Sequence, residues 1–279
     1  MLSAMKTLRR AATVFLGIAL CALAGRALGQ TRPLLTEQAQ TAPAGTIVWE
    51  VGGDFMRQEP NFLTGQLRDV AQGPTLRFVF SPGDAVEIDV EWVARVAAFH
   101  DAVYGNVSDW GDVTLRTKAR VWAGSGHRPT VALRYSLTLP QTKCCSVPNG
   151  LGPNVLRMTA DALVSQPVAG FTLHGNVGFG NQDEVLRPHE QRDFLTYGVA
   201  IERPLGRRVV VLAERAGRAG RGMPGADSHS ELRLGLRLGS RRLRWDAALR
   251  RGLDPADGKW GATAGLSWTL RRGHVAGSP

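Results

Sequence analysis

From Gly45 onward, apolar residues return at every second position over segments of about 8 to 13 residues, a period that suits extended strands with one greasy face. In the first segment Ile47, Trp49, Val51 and Phe55 share a face, and Thr46, Glu50 and Asp54 take the other. Val86, Ile88, Val90 and Trp92 oppose Glu87, Asp89 and Glu91, while Val113, Leu115, Ala119 and Val121 oppose Thr114, Arg116, Lys118 and Arg120. Val131, Leu133, Tyr135, Leu137 and Leu139 oppose Arg134, Ser136 and Thr138, and Leu232, Leu234, Leu236 and Leu238 oppose Glu231, Arg233 and Arg237. Segments of this kind lie near 45–55, 75–81, 85–98, 112–122, 129–139, 155–165, 169–180, 192–203, 207–216, 229–239, 242–250 and 259–270, about twelve strands in all. In the ninth, Val209 to Leu212 is apolar on both faces, so the face of Glu214 stays open.

A soluble sandwich also alternates, and strand length separates the two cases. Sandwich strands average five or six residues, whereas a tilted strand needs about 9 to 11 to cross a bilayer, a length that most of these segments reach. The apolar face is also nearly free of charge, as contact with lipid requires. Trp260 and Trp268 share that face of the last segment, a spacing of about 27 Å along the strand and roughly 20 Å after tilting, which fits the two aromatic girdles of an apolar band. Two core tryptophans would be the plainer reading.

Connections alternate in length. Short ones hold Ser81-Pro82-Gly83-Asp84, the stretch around Gly124-Ser125-Gly126, Gln166-Pro167, Pro204-Leu205-Gly206 and Gly239-Ser240-Arg241. Longer ones occupy about 56–74, 99–111, 140–154, 181–191, 217–228 and 251–258. Short periplasmic turns and longer outer loops mark outer-membrane barrels. The expected fold is therefore all-β: a closed antiparallel transmembrane β-barrel over 45–270, with both ends in the periplasm.

Residues 1–29 read as a secretory signal: Lys6, Arg9 and Arg10 precede the apolar run Ala11 to Gly25, and Ala27-Leu28-Gly29 supplies small residues for cleavage before Gln30. The run is about 15 residues, short of the roughly 20 that a membrane helix needs. Leu20 precedes Cys21, which argues against lipid attachment there, and Cys144 with Cys145 remain as a vicinal disulfide or two loop thiols. Residues 30–44 are expected to form a periplasmic lead and 271–279 a periplasmic tail. The formal charge is +10, of which the signal contributes four, leaving +6. That excess is dispersed, with Arg207-Arg208, Arg241-Arg242 and Arg271-Arg272 beside turns or the terminus, which argues against nucleic-acid binding. At the periplasmic rim these pairs could meet anionic headgroups.

If the apolar face meets lipid, the polar face lines a lumen. Glu87, Asp89 and Glu91 would then lie across from Arg116, Lys118 and Arg120, with Arg134 one strand on, as a ladder of opposite charges. Twelve strands fall between the filled eight-stranded barrel and the sixteen-stranded aqueous channel. The lumen is thus either a narrow polar path or a salt-bridged interior that closes the barrel and leaves it an anchor. An outer-membrane lipid hydrolase would need a serine and a histidine together; Ser228-His229-Ser230 is the candidate, and its neighbouring side chains point to opposite faces. His174 is expected to hydrogen-bond within the lumen. The pattern calls for no cofactor, metal or catalytic residue, and its expected partners are outer-membrane lipid, the barrel-assembly machinery and small solutes.

The segment Arg32-Pro33-Leu34-Leu35-Thr36-Glu37, continuing through Ala42-Pro43-Ala44-Gly45-Thr46 into Trp49-Glu50-Val51-Gly52-Gly53-Asp54-Phe55, resembles the start of the outer-membrane barrels grouped as meta-pathway phenol-degradation or transporter-like proteins. Gly111-Asp112-Val113, Thr138-Leu139-Pro140, Gly150-Leu151-Gly152 and Gly175-Asn176-Val177-Gly178 follow in that family's order. The stretch Thr263 to Leu270 is similar to the carboxyl-terminal assembly signal of such barrels, although the chain continues to Pro279. The resemblance implies an outer-membrane location and passage of small, aromatic or hydrophobic compounds. It assigns no ligand-binding residue.

Overall fold

The computed structural model describes residues 32–141, 151–187, 190–221, 227–240 and 242–271. The expected signal, Cys144 and Cys145, Arg241, Arg272 and the rest of the tail fall outside the described residues. Fourteen strands appear among the described residues: β1 (Thr46–Pro60), β2 (Leu67–Gly83), β3 (Val86–Val93), β4 (Val96–Asp101), β5 (Gly105–Asp109), β6 (Val113–Trp122), β7 (Thr130–Leu139), β8 (Arg157–Val168), β9 (Phe171–Asp183), β10 (Gln191–Pro204), β11 (Val209–Ala219), β12 (His229–Gly239), β13 (Leu243–Gly252) and β14 (Trp260–Arg271).

Twelve of them close a barrel. Each pairs antiparallel with its neighbour, β3 pairs with β6, and β1 joins both β14 and β2, which leaves no free edge. The remaining two, β4 and β5, are outward continuations of β3 and β6. Val93 and Gly111 still share a backbone hydrogen bond of 2.9 Å at the break, and beyond it β4 pairs with the outer half of β2 and with β5. The stretches expected as loops at 56–74 and 99–111 are thus largely hairpin. Gly73, at φ 150°, interrupts β2 between its pairing with β3 and with β4, and its N–H bonds instead to the carbonyl of Arg95 at 2.8 Å. A second difference concerns Gln166-Pro167, expected as a turn. Pro167 lies inside β8, near its end, where a missing N–H is tolerated, and the chain turns at Ala169 and Gly170, both with positive φ (48° and 83°), as a two-residue hairpin requires.

The barrel is inside-out compared with a soluble protein. Glu50, Arg77, Glu87, Asp89, Lys118, Asp161 and Arg233 are buried, whereas Trp49, Val51, Ile88, Val90, Leu133, Val199, Leu234 and Leu249 are exposed. Trp260 and Trp268 are about half exposed on the outer face, which removes the core reading for both. Trp49 is the register partner of Trp268, and Trp245 faces outward one strand away, forming the periplasmic girdle on this side. Only a hydrocarbon solvent makes such a surface stable, and a closed strand ladder satisfies every backbone group that lipid cannot.

Candidate functional site in the lumen

The chain before β1 does not form a periplasmic lead. Residues 32–44 run back into the barrel and cross its periplasmic half, with Leu34, Thr36, Glu37, Gln38, Ala39, Thr41 and Ala42 all buried. An extended peptide with no ladder partner must find other hosts for its N–H and C=O groups. Here the wall supplies side chains in succession. Asp84 accepts from Ala44 N at 2.8 Å, and Glu87 from Ala42 N at 2.5 Å. Lys118 donates to the carbonyls of Gln40 (3.0 Å) and Gln38 (3.3 Å), and Ser165 accepts from Ala39 N at 2.8 Å. On the far wall Glu214 takes the N–H groups of Leu35 and Thr36 at 2.7 and 2.8 Å, while Arg233 and Arg237 donate to the carbonyls of Pro33 and Arg32, each at 2.6 Å.

Apolar contacts add to this seat. Leu34 packs on Ala200 and Leu212, and Ala39 on Ala132 and Leu163. Arg32 ends the crossing against β13 and β14, bonding Thr263 Oγ1 at 2.9 Å and pairing with Asp246 at 3.5 Å. A Cβ on Gly52 or Gly265, which are register partners, would overlap its guanidinium, so these two glycines form the recess that holds it.

Glu37 is the hub. Its carboxylate lies 2.6 Å from Arg134, 3.1 Å from Lys118 and 3.4 Å from Arg77. Each cation has a second acid on the wall: Asp161 at 2.9 Å for Arg134, Glu87 at 2.5 Å for Lys118, and Asp89 at 2.9 Å for Arg77. Asp89 also takes Arg116 at 3.0 Å, and Arg116 reaches Glu91 at 2.9 Å. The structure therefore places Glu87, Asp89, Glu91, Arg116, Lys118 and Arg134 in one lumenal network. Register pairs Glu87 with Lys118 and Asp89 with Arg116, but sets Glu91 beside Thr114. Arg120 stands apart at the periplasmic end of β6, with no carboxylate within ion-pair distance among the described residues.

Reading by alternation missed Glu37, Arg77 and Glu50, which lies 3.6 Å from Arg77, as members of this network, as well as the role of Glu214, whose inward side is now settled. Arg77 and Glu50 were visible as lumen-facing positions. Glu37 was not, because residues 32–44 carry no period that would assign them to a wall.

Two of the cavities among the described residues lie in the barrel interior. One of about 270 Å³ lies above the crossing segment, lined by Arg32, Leu35, Asp54, Arg77, Glu91 and Arg116 among others. It is near the small end of ligand sites, which begin around 300 Å³. The other, about 240 Å³, lies toward the outer end beside Met56, Glu59, His229, Arg250 and Asp257.

His229 and Ser230 do not meet. His229 Nδ1 is 2.6 Å from Asp257 Oδ1, whereas Ser230 Oγ accepts from Arg215 Nε on the outer face at 3.3 Å, and Ser228 Oγ is held by the backbone of Gly220. His174 bonds Ser165 at 2.7 Å inside the lumen. Burial pushes the Asp257 carboxyl up, but His229 and the N–H groups of Ser230 and Asp254 outweigh it and hold the group below its ordinary range. A depressed acid stabilises above its unfolded pKa, about 4, and loses that contribution as pH falls through its folded value. Loop 253–259 is thus expected to stay tied to β12 at pH 7 and 5 and to loosen below about pH 4, with Asp257→Asn loosening it at neutral pH. Hydrogen exchange across the loop is the check; equal protection in the variant and the parent at pH 7 contradicts this.

No family model matches the sequence, and no curated protein is significantly similar to it. The fold, in contrast, is similar to that of solved barrels. One is the COG4313 outer membrane channel from Pseudomonas putida F1, with a TM-score of 0.63 and 12% identity over 83% of this chain and 98% of that one. Another is the translocator domain of the autotransporter NalP from Neisseria meningitidis, with a TM-score of 0.52 and 14% identity over 95% and 98%. These likenesses are of fold. Together with the inside-out surface they make the protein a transmembrane β-barrel with the fold of outer-membrane barrels.

Proposed function

We propose that the protein is an outer-membrane channel for small solutes, exported by removal of residues 1–29 and inserted by the barrel-assembly machinery. The observation that carries this reading is the charged lumen, kept open as a cavity of about 270 Å³ above residues 32–44. A barrel built only as an anchor has no need of that space. Leu34, Leu35 and Val93 share its lining with six arginines, so the space offers apolar contact beside guanidinium groups. That mixture suits small aromatic or hydrophobic compounds bearing a polar substituent, the solute class implied by the sequence resemblance.

The dense ion pairing around Glu37 favours a second reading, in which the lumen is closed and the barrel serves as an anchor. Neither reading calls on catalysis, and His229 and Ser230, the pair that the sequence offered for lipid hydrolysis, are turned to different partners. Flux into liposomes holding the refolded barrel separates the two readings. Phenol-sized solutes are expected to enter faster than disaccharides, with small ion currents in planar bilayers. Liposomes no more permeable than protein-free ones, with no current, would leave the anchor.

A further inference from the structure

Because Glu214 faces inward, its neighbour Arg215 faces lipid. It is exposed on the same side as Val211, between its register partners Val199 and Leu232. Its Nε donates to Ser230 Oγ, and Ser230 lies two residues nearer the outer end of β12 than Leu232 does. The side chain therefore climbs toward the outer rim, as an arginine on a lipid face does to bring its charge to the headgroups.

It is not alone there. Leu232 pairs in turn with Arg251, exposed on the same face as Trp245 and Leu249. The ladder beyond Arg250 and Gly261 brings Arg251 beside Trp260, whose ring has the Arg57 guanidinium 5.2 Å from its centre. Arg215 and Arg251 are two strands apart, roughly 10 Å between Cα atoms, so their side chains can converge on one group. Among the described residues neither has a carboxylate within ion-pair distance. In contrast, Arg77, Arg116, Arg134, Arg233, Arg237 and Arg250, all in the lumen, each have one. Two guanidinium groups left uncompensated at the outer edge of an apolar surface lack only an anion at headgroup height.

We propose that Arg215 and Arg251, with Trp260 at their flank, bind a phosphate of the phosphorylated glycolipid of the outer leaflet. Its acyl chains lie along Val199, Leu232, Leu234 and Leu249, and its sugar rests against Trp260. Paired arginines suit phosphate because each presents parallel N–H donors to its oxygens. Arg57, already 3.8 Å from Asp69, marks the edge of the site.

The test titrates the refolded barrel in detergent with bisphosphorylated lipid A, dephosphorylated lipid A and phosphatidylglycerol, reading bound lipid by native mass spectrometry. Saturable binding of the bisphosphorylated form is expected, at least about tenfold tighter than either of the others. Arg215→Gln should weaken it about tenfold and the Arg215→Gln/Arg251→Gln double variant about a hundredfold, while Arg203→Gln at the opposite rim leaves it unchanged. Heat-modifiable gel migration confirms that each variant is folded. Equal binding of phosphorylated and dephosphorylated forms, equal binding of phosphatidylglycerol, or an unaffected double variant overturns the proposal. So does a dimer that the double variant abolishes, which would assign the arginines to a protein partner.

Discussion

Glu37→Gln is expected to release residues 32–44 from the barrel wall without unfolding the barrel. The carboxylate neutralises Arg77, Lys118 and Arg134 at once, and all of these groups are buried except Arg134, which is partly exposed. Breaking one buried pair by removing a partner costs about 3–5 kcal/mol. Asp89, Glu87 and Asp161 stay behind to pair the three cations, so the loss should fall near the lower limit, about 3 kcal/mol. That amounts to roughly a hundredfold in the ratio of docked to undocked segment. The closed ladder does not pass through Glu37, and folded migration on gels should be unchanged. Protease added from the periplasmic side should cut the segment in the variant and spare it in the parent. Equal protection would mean that the backbone bonds to Glu87, Glu214 and Arg233 hold the segment without the hub.

Deleting residues 32–42 should have the largest effect on conduction. The segment spans the lumen from β3 to β14, and its removal leaves a twelve-stranded interior lined by hydrated charges. An increase in single-channel conductance of about tenfold is expected, from a path limited by small gaps to one limited by barrel width. The freed groups, among them Glu214, Arg233 and Arg237, gain water as a partner, so the barrel tolerates the deletion better than a soluble core would. Conductance that stays at the parental level would place the constriction elsewhere, in the paired side chains of β2, β3, β6 and β7.

Much of the barrel could be read directly. Ile47, Trp49 and Val51 alternate with Val48 and Glu50, and the structure shows the first set exposed or half-buried and the second buried. The twelve barrel strands and the alternation of turn lengths follow from the same pattern. Where it failed, tertiary contacts were stronger than local signals. Pro167 looked like a turn but fits the end of β8, and the polar stretches at 56–74 and 99–111 extend the sheet beyond the bilayer, where β2, β4 and β5 satisfy one another. The ambiguity at Glu214 was settled by an acceptor need 178 and 179 residues away in sequence, at Thr36 and Leu35.

What the chain order determined unaided is which side of every barrel strand but β11 meets lipid, because successive side chains of an extended backbone must point in opposite directions whatever surrounds them. The tertiary structure alone decided the course of residues 32–44. That stretch has no period and no ladder, and its position depends on acceptors and donors gathered from β2, β3, β6, β7, β11 and β12. Those groups become neighbours only once the barrel closes, so no stretch of sequence could have announced them.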